Sequence, residues 1–282
     1  MAGFFGLFNY EKEGPGISKN APKKKTFIVF FETFFRNFWK FIIINLVYGI
    51  ISLPVLTNGL AAAGITNVTR NIARDKHSFG TSDFLETIKK NWKQALPAGI
   101  INTLVYIILS FDVYFFYTAS EGIMSTIGLG ISLCMMFIFT VMQYYIWTLI
   151  ITFNFKLKQV YKNSFKFVFI NMKMNLLCFF AILLIYAVNI AILFLLQAYF
   201  LAVITFELLI YILTFPSFRY LLVQFCIFPS IKKYIIDPYY AEHPDDDIEK
   251  RQNLGIEVEK KTEPNPDGED GGEEEPENVF ED

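Results

Sequence analysis

Four stretches of this chain stay apolar for longer than any soluble core element requires, and they decide what it can fold into. They lie within Ala95–Tyr117, Gly122–Phe155, Met174–Phe206 and around Leu208–Phe228. A helix crossing a bilayer needs about 20 apolar residues, and each run can hold one. A fifth run, Phe38–Leu53, is shorter and is closed by Pro54, and the adjoining 57–73 is only weakly apolar. With 32 Phe in 282 residues, 54% apolar and 18% charged, a water-soluble particle of this size would be left with large bare apolar patches. A bilayer is the solvent that covers them, and the expected class is an all-α, polytopic membrane protein.

Orientation follows from Lys and Arg, which are enriched in cytoplasmic loops. Segment 70–93 holds Arg70, Arg74, Lys76, Lys89, Lys90 and Lys93, and segment 156–173 holds Lys156, Lys158, Lys162, Lys166 and Lys173. The connectors near Thr118–Glu121 and Gln197–Tyr199 have neither residue type and belong outside. Residues 95–117 with 122–155 therefore form one hairpin, and 174–196 with 199–222 another. The first 25 residues carry five lysines and no apolar core of signal-peptide type, so the leading end belongs inside. An even number of crossings must then separate Lys40 from Arg70. The reading is a first hairpin, 38–53 out and 57–73 back, turned at Pro54. This predicts about six spans as three helical hairpins, with both termini cytoplasmic. The returning helix carries Gly59, Ala62 and Ala63, which permit close backbone packing, and its Thr66 and Asn67 suit protein better than lipid, so a re-entrant path stays open.

Each hairpin has a basic lead: Arg36-Asn37-Phe38-Trp39-Lys40, Lys90-Asn91-Trp92-Lys93 and Lys173-Met174-Asn175. Three diverged two-helix repeats would explain them. The leads 27–38 and 155–173 are amphipathic, with Phe at three- and four-residue steps in the first and Glu32 one turn from Arg36. Lysines along them suit a bilayer with anionic headgroups, at about 1 kcal/mol each. The expected organisation is 1–37 a basic cytoplasmic N-terminus with an interfacial helix, 38–236 the transmembrane domain, and 237–282 an acidic, disordered, solvating cytoplasmic tail. Charge supports the last division: residues 1–240 hold 21 Lys+Arg against 10 Asp+Glu, and 241–282 hold 4 against 17.

Enzyme signatures are absent. No phosphate loop, His-Glu-x-x-His or Gly-x-Ser-x-Gly occurs, and His77 and His243 have no ligand set around them. Cys134, Cys178 and Cys226 are far apart in sequence and read as small hydrophobes rather than a disulfide framework or metal site. We therefore expect no catalytic residue, no cofactor, no metal and no nucleic-acid partner. What remains is intramembrane polarity, since an ionisable group in hydrocarbon costs at least a few kcal/mol unless it faces protein or water. The candidate site residues are Glu207, eight residues into the last span, Asp112 near the outer surface, and Asn189. Asn45, Asn102, Gln143 and Asn189 are expected to bond neighbouring helices, and Pro216 to kink the last span.

A family resemblance rests on Gly6-Leu7-Phe8-Asn9-Tyr10, Gly14-Pro15-Gly16-Ile17, Pro22-Lys23-Lys24, Phe34-Phe35-Arg36-Asn37-Phe38-Trp39-Lys40, Ser52-Leu53-Pro54-Val55 and Phe228-Pro229-Ser230-Ile231-Lys232-Lys233-Tyr234. In this order they resemble the YesL-like family, domain of unknown function 624, over about residues 1–240. The resemblance implies a multi-pass plasma-membrane protein of Firmicute-type bacteria, often encoded beside carbohydrate uptake systems, with no established activity. The expected function is an accessory role in carbohydrate uptake or sensing, with a sugar transport system as partner. The alternatives are a permease-type transport subunit, to whose ATPase-coupling segment 83–97 bears a faint likeness without its Glu-Ala-Ala opening and glycine, and a secondary carrier or channel.

Overall fold

The computed structural model describes residues 26–119, 122–196 and 199–242. The lysine-rich leader with the resemblance motifs at 6–24, parts of both outer connectors, and the acidic tail from 243 lie outside the described residues. Two compact units divide between Asp237 and Pro238, and the helical bundle belongs to the first. Among the described residues there is no strand. The elements are α1 (Thr26–Arg36), α2 (Phe38–Ser52), a 3-10 turn (Val55–Thr57), α3 (Asn58–Ala73), α4 (Thr81–Thr118), α5 (Ile123–Thr152), α6 (Leu157–Ile170), α7 (Met172–Leu195) and α8 (Phe200–Ile231). A π-helical turn (Lys232–Ile236) then leads into α9 (Asp237–Glu242).

Four helices have the length and apolarity to cross a bilayer: α4, α5, α7 and the continuous stretch that α8 opens. These are the four long runs of the sequence. The first hairpin is shorter, with 15 residues in α2 and 16 in α3. At 1.5 Å per residue these reach only about 22–24 Å, less than the roughly 30 Å of a hydrocarbon core.

Small residues make α3 the axis of the fold. It packs against α2, α4, α5 and α8, and Gly59, Ala61 to Thr66, Val68, Thr69 and Ile72 are all buried. Gly59 meets Gly99 of α4 backbone to backbone. A Cβ on Gly59 would fall 2.2 Å from the Ala95 carbonyl oxygen and 2.7 Å from the Gly99 Cα. No side chain larger than hydrogen fits there. The expectation that this helix sits against protein holds, for the reason that its composition supplied.

The Gly59–Gly99 contact also fixes how far the first hairpin reaches. Beyond Gly99, α4 continues to Thr118, about 28 Å further along its own axis. On the other flank, Asn45 of α2 bonds α8 at Leu213 and Ser217, well inside a helix that starts at Phe200, and α2 ends at Ser52. The tip of the hairpin therefore stops short of the outer ends of the long helices.

Two details depart from the sequence reading. Segment 70–93 is mostly helix: α3 and α4 enclose a short turn, and Lys89, Lys90 and Lys93 ride on α4 itself. The three basic leads thus have three structures, a break at Asn37, an unbroken helix through Asn91, and the first turn of α7 at Asn175. The second detail is α1, which is docked. Its buried Phe30 and Phe34 pack edge-to-face on Phe218 of α8, and Phe34 stacks on Phe41. Its Arg36 pairs with Asp75 beyond α3 rather than only within its own helix.

Candidate functional site

Burial leaves almost undecorated the half of the bundle that carries the Thr118 and Leu195 helix ends, termed the outer half because it lies away from the basic segments. Ile107, Phe111, Phe115, Ile123, Met124, Phe194 and Leu201 are all exposed, Met124 at 82%. The inner half instead holds a seam of buried amides and hydroxyls, each used to tie helices that apolar packing alone would leave free to slide.

Asn45 is fully buried. Its Nδ2 donates to the Leu213 carbonyl at 2.7 Å, and its Oδ1 accepts from the Ser217 backbone N–H at 2.9 Å and the Ser217 hydroxyl at 2.6 Å. These groups flank Pro216, whose ring nitrogen has no hydrogen to donate. One amide of α2 thus serves the stretch of α8 that proline weakens. A second tie joins α4, α5 and α6: Asn102 Nδ2 donates to Gln143 Oε1 at 2.9 Å, while the Tyr161 hydroxyl donates to Asn102 Oδ1 at 2.6 Å. A third joins α5 to α7: the Tyr145 hydroxyl donates to Asn175 Oδ1 at 2.7 Å and accepts from Asn171 Nδ2 at 3.0 Å. Cys178 of α7 and Cys226 of α8 are both buried, and both remain free.

The three candidate residues do not form one site, and no hydrogen bond joins any two of them. Asn189, expected to bond a neighbouring helix, instead donates to the Ile185 carbonyl of its own helix at 2.7 Å. Asp112 is half-buried on α4. Glu207 is half-buried on α8, with Oε1 covered and unpartnered.

The charged residue that sequence reasoning passed over is Arg219. It lies within the fourth apolar run, and that was the available signal. Arg219 lines a small internal space with Thr66, Gln143, Tyr144, Tyr220 and Gln224, at the point where α3, α5 and α8 meet. The space is about 10 Å³, room for one water-sized particle. Its wall holds a covered Gln143 Nε2 and a covered Gln224 Oε1, neither with a partner.

A basic end lies beyond the seam. Arg70 donates to Thr152 Oγ1 at 2.7 Å and to Asn67 Oδ1 at 2.6 Å, and Asn67 donates to Thr87 Oγ1, so α3, α4 and α5 are laced together. Arg74 lies over the Phe228 ring, 3.8 Å from its centroid. Burial, with Arg70's charge beside it, lowers the Arg74 pKa to about 9, and burial with the charges of Arg74 and Arg70 lowers that of Lys76. Lys40 donates to the Ser78 carbonyl at 2.8 Å, next to an open groove of about 370 Å³ that Lys40, Lys76, His77 and the Arg36–Asp75 pair border.

A helix bundle bare and apolar at one end, polar within and basic at the other, defines an all-helical integral membrane protein. Residues 41–113, which comprise most of α2, all of α3 and α4 to Val113, match the family model described as protein of unknown function, DUF624. This is the YesL-like family, and the resemblance drawn from the motifs is correct over that stretch, where Ser52-Leu53-Pro54-Val55 falls. No curated protein and no solved structure matches the chain.

Proposed function

We propose that the chain is a non-catalytic accessory protein of a bacterial plasma membrane, assisting carbohydrate uptake or sensing, with both termini in the cytoplasm. The observation that carries the accessory reading is the seam. Its amides and hydroxyls bond one another, and the space left among them is about 10 Å³, against the several hundred Å³ of a pocket for a small molecule. A carrier for sugars keeps such groups for its substrate. The carbohydrate element and the sugar transport system as partner rest on what the family resemblance implies. The cytoplasmic placement of the basic end rests on the distribution of Lys and Arg, and its open groove suits anionic headgroups.

Within this reading α4, α5, α7 and α8 cross the membrane. The α2–α3 hairpin enters from the cytoplasmic side and ends inside the bilayer, which replaces six crossings with four and keeps both termini on one face. Cysteines placed singly at Asn58, His77, Ser120 and Ala198 and challenged with an impermeant external reagent test it. Labelling is expected at 120 and 198 only. A labelled Asn58 site would restore the six-span count, and a labelled His77 site would overturn the orientation. Crosslinking in cells should recover subunits of a sugar uptake system, and recovery of none would remove the accessory role.

A further inference from the structure

Among the described residues the charge on Arg219 has no acidic counterpart. Among the described residues it makes no ion pair, and the nearest acid on its own helix, Glu207, is about 18 Å away along the axis. Asp75 is committed to Arg36, and Asp83 accepts from the Ser78 hydroxyl and the Phe79 N–H. The Tyr220 ring gives partial relief, with the guanidinium carbon 5.6 Å from its centroid. A lone guanidinium at membrane depth is costly, and the cost falls only when an opposite charge or water reaches it.

Two amides beside Arg219 each leave one polar atom unmet, a donor on Gln143 and, as placed, an acceptor on Gln224. Gln143 is 7% exposed, and its Oε1 is engaged by Asn102, which leaves Nε2 on the wall of the small space without a partner. Gln224, 2% exposed, donates through Nε2 to Thr148 Oγ1 at 2.8 Å. A half-turn of its amide would let the Thr148 hydroxyl donate to Oε1 in place of its long 3.4 Å bond to the Tyr144 carbonyl, and would aim Nε2 at the same space. A bridging water would satisfy the hydrogen bonds but leave the charge unbalanced. We infer that this cavity between α3, α5 and α8 is a binding site for one small monovalent anion of halide size, held by Arg219 and Gln143 with Gln224 closing it.

The test uses the full chain purified in detergent in sodium gluconate, with sodium chloride titrated in at constant ionic strength. A ligand bound only by the folded state raises the melting temperature saturably, by about 3 °C at tenfold excess over its dissociation constant. Wild type should show this rise, and Arg219→Gln should lose it. Gln224→Glu supplies a carboxylate beside Arg219 in place of the ion. It should melt without chloride as high as wild type does with it, and should no longer respond. Should Arg219→Gln not fold, Gln224→Glu decides alone. A wild-type melt indifferent to chloride, or a Gln224→Glu protein that keeps the full chloride response, would overturn the site and leave a water-filled cavity.

Discussion

The two halves of the bundle obey different rules. In the inner half α3 is enclosed on every side, and polar side chains are spent on neighbours up to 172 positions away in sequence. In the outer half α4, α5, α7 and α8 run on with their apolar side chains bare, and their hydrogen bonds stay largely within each helix. The difference teaches that lipid supplies no drive to bring apolar helices together, because leaving it gains an apolar side chain nothing. Association must come from close backbone approach and buried hydrogen bonds, and both are concentrated where the short hairpin inserts.

Substitutions in the two halves should therefore differ sharply. The largest effect is expected at Gly59→Ala, whose new methyl would overlap the Ala95 carbonyl. A loss of about 3 kcal/mol or more, measured as lost monodispersity and a lower melting temperature in detergent, is the outcome. Next comes Asn45→Leu, which leaves the Leu213 carbonyl and the Ser217 donors without their side-chain partner. About 2 kcal/mol is expected, read as a lower melting temperature in detergent. The smallest is Ile107→Ala in the outer half, 60% exposed, with a change within about 0.5 kcal/mol. An Ile107 variant as damaging as the Asn45 variant would show that the outer half packs against something other than lipid.

Much of this division was legible in the residues. Run length separated the four long helices from the short pair, and Pro54 marked the turn between them. The string Gly59 to Gly64 announced a helix meant for contact with backbone. What local pattern could not show is pairing. That Asn45 would serve the flanks of Pro216, or that Tyr145 would bond both Asn171 and Asn175, depends on contacts that no periodicity encodes. The helix continuing through Lys89 to Lys93 was hidden because charge placement reports the side of the membrane and says nothing of chain direction. Arg219 is a different case: its letter stood in plain view inside an apolar run, and the length of that run drew attention away from it. Asp112 and Glu207 stood out only because acids are rare there, and rarity alone did not bring them together.

The amide of Asn45 also sets a schedule. During synthesis α2 leaves the ribosome early, whereas the groups it must meet, at Leu213 and Ser217, are made only near the end of the bundle. Until then the first hairpin waits with an unmet amide, held by its contacts with α4 and α5. Completion of the last long helix is then the event that closes the molecule, and a nascent chain released before Leu213 keeps the Asn45 amide without its partners.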